Sequence, residues 1–348
     1  MTSKAKIRKN NFFQEPVTEL RRDLITKEWV AIAPKRGKRP SAYKFKGGRK
    51  LDVSKKNCPF ENPQATGHAQ PALLYKNRKH KDWSLQIIPN KFPILYHADK
   101  CSIEGEHGPY KITDGTGSHE IIITKDHNKH LALLSRAEVT EVVTAYKERF
   151  SQLIKDDCTQ YVSIFHNHGV EAGATLFHPH SQLIATSIVP ADIQRSISGS
   201  YNYYRFNKRC AHCDIILWEK KEKLRILFEN KEYIAFCPYV SRVNFEIEIF
   251  PKKHSPNFEN TPVQSLSRLA DLLNKSLNLL YKTLDNPAYN FFIHTAPMPT
   301  DKKKYPHYHW HIEIFPKTNT WAGIELGTGM EVLMVSPENA ASHLRENI

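Results

Sequence analysis

The sequence predicts an α+β fold made of two similar halves, each an antiparallel sheet with one main helix. The first observation behind this is an internal repeat. Cys58-Pro-Phe-Glu61 is answered by Cys210-Ala-His-Cys213, the run 83–92 by 230–239, 119–127 by 244–254, and 178–185 by 307–316, all in the same order. Self-similarity of this kind is the strongest sequence clue to architecture. The second observation is that each half carries one long amphipathic segment, 135–156 and 261–284, among short β-rich runs. A length of 348 residues suffices for one large duplicated domain or two ordinary ones.

Residues 1–20 read as a basic lead-in, 21–195 as the first half and 196–348 as the second. Trp29 to Ala33 is a short strand stopped by Pro34. The basic loop behind it carries Arg36 and Arg39, and arginine in such a loop can clamp a phosphate bidentately. Residues 83–89 form a strand that turns at 90–93, and 119–127 is a β run ending at His127. Ser135, with Glu138 three residues on, reads as a capping box. Val139, Val142, Val143, Tyr146, Phe150 and Leu153 follow at helical spacing. A strand at 161–169 enters a glycine-rich turn, Gly169 to Gly173, and 178–185 is the returning strand. The second half repeats this, with strands at 230–239, 244–254, 289–297 and 307–316 and a helix at 261–284. A terminal basic helix spans 337–346.

The net charge of +14 favours anionic partners such as nucleotides, sugar phosphates or nucleic acid. The charge falls in local clusters, including 4–9, 44–56, 76–81, 220–223 and 302–304. That pattern suits solvated loops better than the continuous basic stripe of a nucleic-acid groove. No run of about 18 apolar residues is present, and the N-terminus has no apolar signal region, so no membrane span or secretion is expected. Six cysteines, two of them in a CxxC, suit metal binding in a reducing compartment, with cytoplasm the default. Cys101, Cys158 and Cys237 fit no ligand set and read as apolar fillers. His68, His80, His97 and His107 fall in polar loops and read as solvated.

The chemistry concentrates in FHNHGVEAGATLFHPHSQLIA, residues 165–185. In an extended segment His178, His180 and Gln182 would project to one face. The glycines before them let backbone N–H groups approach a ligand. The repeat also predicts two metal sites. Cys210 and Cys213 supply two thiolates, with His254 and one of His307, His309 or His311 completing a tetrahedral zinc set; His309 is the one assigned. In the first half the set is Cys58, Glu61, His127 and His178, with glutamate where the repeat calls for cysteine. A carboxylate can ligate zinc, so this site either keeps a metal on mixed ligands or is held by packing alone.

These residues carry a resemblance. The chain resembles the galactose-1-phosphate uridylyltransferases, a branch of the histidine-triad superfamily, and in particular the relatives that include plant ADP-glucose phosphorylase. The matching pieces are RRDLITKEWVAIAPKRGKRP, CPFE, PNKFP, KDHNKHLALLS, FHNHGVEAGATLFHPHSQ, HYHWHIEIFP and GIELGTGMEV. The resemblance implies two tandem histidine-triad-like halves packed as one molecule, and a homodimer. It implies His180 as the nucleophile that takes a nucleoside monophosphate, and Gln182 as a hydrogen-bonding partner of the transferred phosphoryl group. It places Gly173, Ala174 and Thr175 near the phosphates and Asn167 at the nucleotide. Arg36, Arg39 and Asn90 fall around the pocket, and Cys58, His127 and His178 are implied zinc ligands. Glu61 departs from the family's cysteine, and Thr175 from its common serine.

A covalent relay splits transfer between two phosphates into two easier steps. Neutral imidazole is a competent nucleophile near neutral pH, because its ordinary pKa is about 6.5. Hydrolytic members of the superfamily carry a third histidine at the position of Gln182. An amide donates hydrogen bonds but cannot pass a proton, so the intermediate waits for a phosphate acceptor. The expected activity is transfer of UMP from UDP-glucose to a hexose 1-phosphate. Adenylyl transfer from ADP-glucose to phosphate is the near alternative. A dinucleotide hydrolase and a zinc-stabilised basic nucleic-acid-binding protein are the more distant ones. His311 and Glu313 occupy the equivalent row in the second half without a comparable glycine turn, which points to structure or substrate contact there.

Overall fold

A computed structural model describes residues 17–38, 54–80, 82–98, 100–298 and 305–348, so Arg39 lies outside the described residues. In chain order the first half holds β1 (Glu19–Arg22), β2 (Trp29–Ile32), β3 (Leu73–Tyr75), β4 (Leu85–Pro89), β5 (Gly105–His107), β6 (Tyr110–Ile112), β7 (Gly117–Thr124), α1 (Arg136–Leu153), β8 (Tyr161–His168), β9 (His180–Thr186) and α2 (Ala191–Asn207). The chain continues with α3 (Ala211–Glu222), β10 (Ile226–Glu229), β11 (Tyr233–Phe236), β12 (Ile247–Pro251), α4 (Val263–Thr283), β13 (Tyr289–His294), β14 (His311–Pro316), α5 (Gly323–Thr328), β15 (Val332–Leu333) and α6 (Pro337–Arg345).

The two predicted sheets are one. Ten strands run β10-β11-β12-β14-β13-β8-β9-β7-β4-β3. From either edge to the centre the order is the same under the repeat, with β8 and β13 meeting in the middle. Their antiparallel register sets Asn167 opposite Asn290 and Ile164 opposite Ile293, so one hydrogen-bonded ladder joins the halves. One face is apolar. Val162, Ile164, Leu183 and Ala185 from the first half join Ile247, Ile249, Phe291, Ile293, Ile312 and Ile314 from the second in a single buried cluster with α1 and α4. Helix α1 starts as its sequence predicts. Ser135 Oγ accepts from Glu138 N at 3.3 Å, and Glu138 Oε2 accepts from Ser135 N at 2.7 Å. Helix α4 buries Leu266, Leu269, Leu273, Leu277 and Leu280, a stripe at helical spacing.

The opposite face of the sheet is left for polar groups, and there lie His119, His180, His294 and His311, whereas His166 and His168 of β8 alternate with Val162 and Ile164 onto the helix face. Several features depart from the sequence reading. Strand β1 begins inside the expected lead-in and pairs with β2, which β15 joins in parallel, so a late segment closes an early hairpin. Helix α2 packs against the turn after β1 through Gly199: a Cβ there would lie 2.1 Å from the Ile25 carbonyl oxygen. Cys101 and Cys158 are not apolar fillers. They form a disulfide, with Cα atoms 5.0 Å apart, tying the segment before β5 to the end of the α1–β8 connection. Cys237 is free and buried, as a filler should be. Among the described residues no helix is long and apolar enough to cross a membrane.

Candidate active site and metal groups

The site begins with the turn between β8 and β9. Gly169 (φ +83°) and Gly173 (φ +86°) bracket one short helical turn, Val170–Ala172. Both backbones sit where L side chains are strained. Gly169 is constrained a second time, because a Cβ there would lie 2.6 Å from Cβ of Ala288. The turn closes on itself through Gly173 N to Val170 O (2.9 Å) and Ala174 N to Gly169 O (3.1 Å). Asn290 on β13 reaches across the central ladder and donates to Asn167 Oδ1 at 2.7 Å and to the Ala172 carbonyl at 2.8 Å. The second half therefore clamps the glycine turn of the first.

His180 opens β9. Its Nδ1 donates to the His178 carbonyl at 3.0 Å, which leaves Nε2 with the free lone pair. Burial pushes its pKa below the ordinary histidine value, against the pull of that carbonyl bond, so the ring is neutral near pH 7. Ser181 turns to the helix face, where its Oγ meets Tyr146 OH at 2.5 Å and His166 Nδ1 at 3.0 Å. Gln182 returns to the His180 face. Its Oε1 accepts from His119 Nε2 at 2.8 Å, and its Nε2 has no protein partner among the described residues. Asn90 lies against His119, with its Nδ2 3.1 and 3.4 Å from the two ring nitrogens.

His178 does not join the His180 row. It precedes the strand, is fully buried, and belongs to a group with Cys58, Glu61 and His127. Its Nε2 donates to the Thr124 carbonyl at 2.7 Å, and its Nδ1 lies 3.5 Å from both Cys58 Sγ and Glu61 Oε1. Glu61 Oε1 and His127 Nδ1 approach to 2.8 Å, yet neither makes a hydrogen bond. Four candidate ligand atoms thus converge, and two of them, Glu61 Oε1 and His127 Nδ1, are left without a hydrogen-bond partner. The ring of Phe60 sits edge-on to both His180 (5.2 Å) and His178 (5.9 Å), which packs the Cys58 loop against the start of β9. His68, expected in solvent, packs against Phe60 as well, with ring centroids 5.7 Å apart.

The repeat holds in the second half. Cys210 caps α3, and Cys213 lies 3.5 Å from Nδ1 of both His254 and His309. His309 Nε2 donates to the Pro251 carbonyl at 2.9 Å. His309, and not His307 or His311, is the late histidine of this group. His311 copies the posture of His180, with Nδ1 3.1 Å from the His309 carbonyl. It is nevertheless stacked between Phe250 (4.8 Å) and His294 (4.9 Å), and Glu313 accepts from His294 at 2.8 Å. A carboxylate beside a packed imidazole is no cradle for phosphate, in keeping with a structural role.

Of the remaining expected residues, Thr175 is exposed beside the turn and Ala174 is buried within it. Arg36 is exposed on the turn Pro34–Lys38, and no contact among the described residues ties it to His180. Sequence reasoning missed His119 and Asn290. His119 was legible only as one position of an alternating strand. Asn290 has no local signal, because its role depends on the join between the halves.

The model of the galactose-1-phosphate uridyl transferase N-terminal domain matches residues 11–190. An ADP-glucose phosphorylase of Arabidopsis thaliana is 31% identical over 333 residues, covering 94% of this chain and 92% of that one. A galactose-1-phosphate uridylyltransferase of Thermotoga maritima is 27% identical over 336 residues, covering 94% of this chain and 98% of that one. The crystal structure of an Arabidopsis thaliana ADP-glucose phosphorylase with bound ADP-glucose superposes with a TM-score of 0.79 at 28% identity, over 95% of this chain and 99% of that one. With its glycine turn, its buried neutral imidazole and its duplicated ligand groups in this order, the chain belongs to the galactose-1-phosphate uridylyltransferase family.

Proposed function

We propose that this chain moves a nucleoside monophosphate from a nucleotide sugar to a phosphate-bearing acceptor through a covalent nucleotidyl-His180 intermediate. The observation that carries this reading is the His180 Nδ1 bond to the His178 carbonyl, which leaves a neutral Nε2 as the nucleophile. In the first step Nε2 attacks the α-phosphorus, a P–N bond forms, and the bond to the β-phosphate oxygen breaks to release the sugar 1-phosphate. In the second, an acceptor phosphate oxygen attacks the same phosphorus and the P–N bond breaks. The amide of Gln182 stabilises the charge on the phosphoryl oxygens, and the Gly169–Gly173 turn, closed by its own hydrogen bonds, shapes the backbone beside them. Asn90, Asn167, Thr175, Arg36 and Arg39 belong to the nucleotide pocket in this reading.

Zinc is the metal we assign to both groups. Bond lengths of about 2.3 Å to sulfur and 2.05 Å to nitrogen put tetrahedral S···N pairs about 3.5 Å apart. The Cys58–His178, Cys213–His254 and Cys213–His309 pairs have that spacing. Cys58, Glu61, His127 and His178 would hold one ion and Cys210, Cys213, His254 and His309 the other. A bound ion supplies structure there, fixing the loops beneath β9 and β14.

The first substrate pair is UDP-glucose with galactose 1-phosphate, supported by the likeness to a Thermotoga maritima protein named galactose-1-phosphate uridylyltransferase. A second reading, ADP-glucose with inorganic phosphate, is favoured by the likeness to the Arabidopsis thaliana ADP-glucose phosphorylase. Incubation with each nucleotide sugar labelled at the α-phosphorus tests both. The expected result is acid-labile label on the wild type and none on His180→Gly. Label that persists in the variant rejects the mechanism, and the pair that turns over names the substrates.

A homodimer is part of this proposal, supported by exposed Phe92, Ile94, Tyr96, Ile103, Tyr110 and Ile112 along one stretch of chain. Sedimentation at micromolar concentration tests it; a monomer removes it. A cytoplasmic location is also proposed, and the Cys101–Cys158 disulfide is the observation against it. Cell fractionation followed by thiol labelling decides between them: the protein is recovered in the cytoplasmic fraction with Cys101 and Cys158 free if the location holds.

A further inference from the structure

We propose that His119 is a positioning residue that sets which end of the Gln182 amide faces the phosphoryl group. This rests on the reading of His180 and Gln182 as the transfer pair. His119 stands on β7 opposite Ile184, while Gln182 stands opposite Ile121, so the two are diagonal neighbours on one face of the sheet. The protonation of the ring follows from its contacts. Backbone N–H of Ile94 points at His119 Nδ1 at 3.3 Å, and a backbone N–H can only donate. Nδ1 is therefore the unprotonated nitrogen. The proton lies on Nε2, which must donate, and its partner at 2.8 Å is Gln182. That partner must accept, so Gln182 presents Oε1 to His119 and turns its NH2 outward.

Asn90 holds the ring without competing for that bond. Phe92 N donates to Asn90 Oδ1 at 3.0 Å, which turns the Asn90 amide nitrogen to the imidazole. At 3.1 and 3.4 Å from the two ring nitrogens, it lies over the ring face and not on either lone pair. The consequence is chemical. An amide turned the other way would aim a carbonyl dipole at the phosphate, replacing attraction by repulsion in the transfer state. His119 is buried, so water cannot supply the missing donor when it is removed.

Two measurements test this. Long-range 1H–15N correlation spectra, with the His119 ring assigned by its loss in His119→Gln, report the tautomer. An Nε2–H ring is expected, and an Nδ1–H ring overturns the proposal whatever the protein catalyses. Single-turnover labelling of His180 by UDP-glucose and ADP-glucose is the second. Glutamine can place an amide donor where Nε2 stood, whereas asparagine reaches only the position of Nδ1. His119→Gln is expected to keep the labelling rate within about threefold. His119→Asn and His119→Leu are expected to lose roughly 10- to 100-fold, with nucleotide-sugar affinity changed by less than about threefold. In a Gln182→Ala background, His119→Leu is expected to cause no further loss. Equal loss in the Gln and Leu variants, or additive loss in the double variant, shows a role in folding only and overturns the assignment. Absence of label in the wild type rejects the transfer reading instead, and leaves the tautomer result to decide the orientation.

Discussion

Nε2 of His178 donates to the carbonyl oxygen of Thr124 at 2.7 Å, and the second half repeats the arrangement between His309 and Pro251 at 2.9 Å. In each case the end of an adjacent strand fixes the imidazole tautomer. Nδ1 is left as a lone pair facing thiolates and a partner histidine. Backbone hydrogen bonds of this kind orient metal-ligating histidines and raise their basicity. Duplication has therefore preserved the outer support of each group as well as its ligands, even where Glu61 replaced a cysteine.

This makes the two proposed zinc groups unequal. Two thiolates in the second group bind a borderline-soft ion more tightly than the one thiolate and one carboxylate of the first. Protein prepared without chelator is expected to carry two equivalents of zinc by atomic emission, released to a colorimetric chelator in two phases. Cys210→Ser should remove the slow equivalent, and Glu61→Cys should slow the fast one. A single release phase unaffected by Glu61→Cys would contradict the assignment.

Gln182→His addresses the choice between transfer and hydrolysis. A histidine there can pass a proton to a leaving group or take one from water, which an amide cannot. Release of free mononucleotide in the absence of any acceptor is expected to rise by about tenfold or more, at the expense of transfer. Unchanged water-dependent release would mean that Gln182 does not guard the intermediate.

Most of this architecture is legible in the repeat. Ligand order, helix α1 with its Ser135–Glu138 box, and helix α4 follow from residue type and spacing. Alternation alone puts His178 in one row with His180, and only the repeat, by grouping it with Cys58 and His127, sets it apart. The join between β8 and β13 does not. Each strand reads as a buried apolar run, and nothing local says that one continues the other's sheet. Asn290 and His119 were hidden for that reason: their partners are set by strand pairing, which alternation alone does not specify. The Cys101–Cys158 bridge is separated by 57 residues, so no spacing rule brings the two together.

The glycine turn offers a clean comparison of two strained backbones. Gly173→Ala forces an L residue into the left-handed region, at a cost of about 1–2 kcal/mol. Gly169→Ala, with ψ at +156°, forces one into a region essentially reserved for glycine, at a cost of about 1–3 kcal/mol. Only Gly169→Ala also drives a methyl into Ala288, to within 2.6 Å of its Cβ, whereas nothing stands closer than 3.9 Å at Gly173. Urea unfolding is expected to show a markedly larger loss for Gly169→Ala. Equal losses would mean that the β8 end of the turn yields freely to its neighbour.

Acid should destabilise the fold through a second group of histidines that the proposed mechanism does not use. His130 is buried, neither of its ring nitrogens makes a hydrogen bond, and it packs 4.2 Å from the ring of His168. Burial, with the nearby His168 charge adding to it, pushes its pKa down to about 3. Burial likewise lowers His166 and His168. In the unfolded chain each titrates at about 6.5. Between those values the unfolded state binds more protons than the native one, so stability is full above about pH 6.5 and falls as the pH drops below it. Each such group contributes about 1.4 kcal/mol per pH unit within its window. His130→Phe keeps an aromatic ring and removes one titrating group. Between pH 7 and pH 5 the variant is expected to lose about 2 kcal/mol less than the parent in urea unfolding. Both proteins retain the same metal ligands, so acid release of an ion affects them alike. Parallel losses would show that His130 is already protonated in the folded protein.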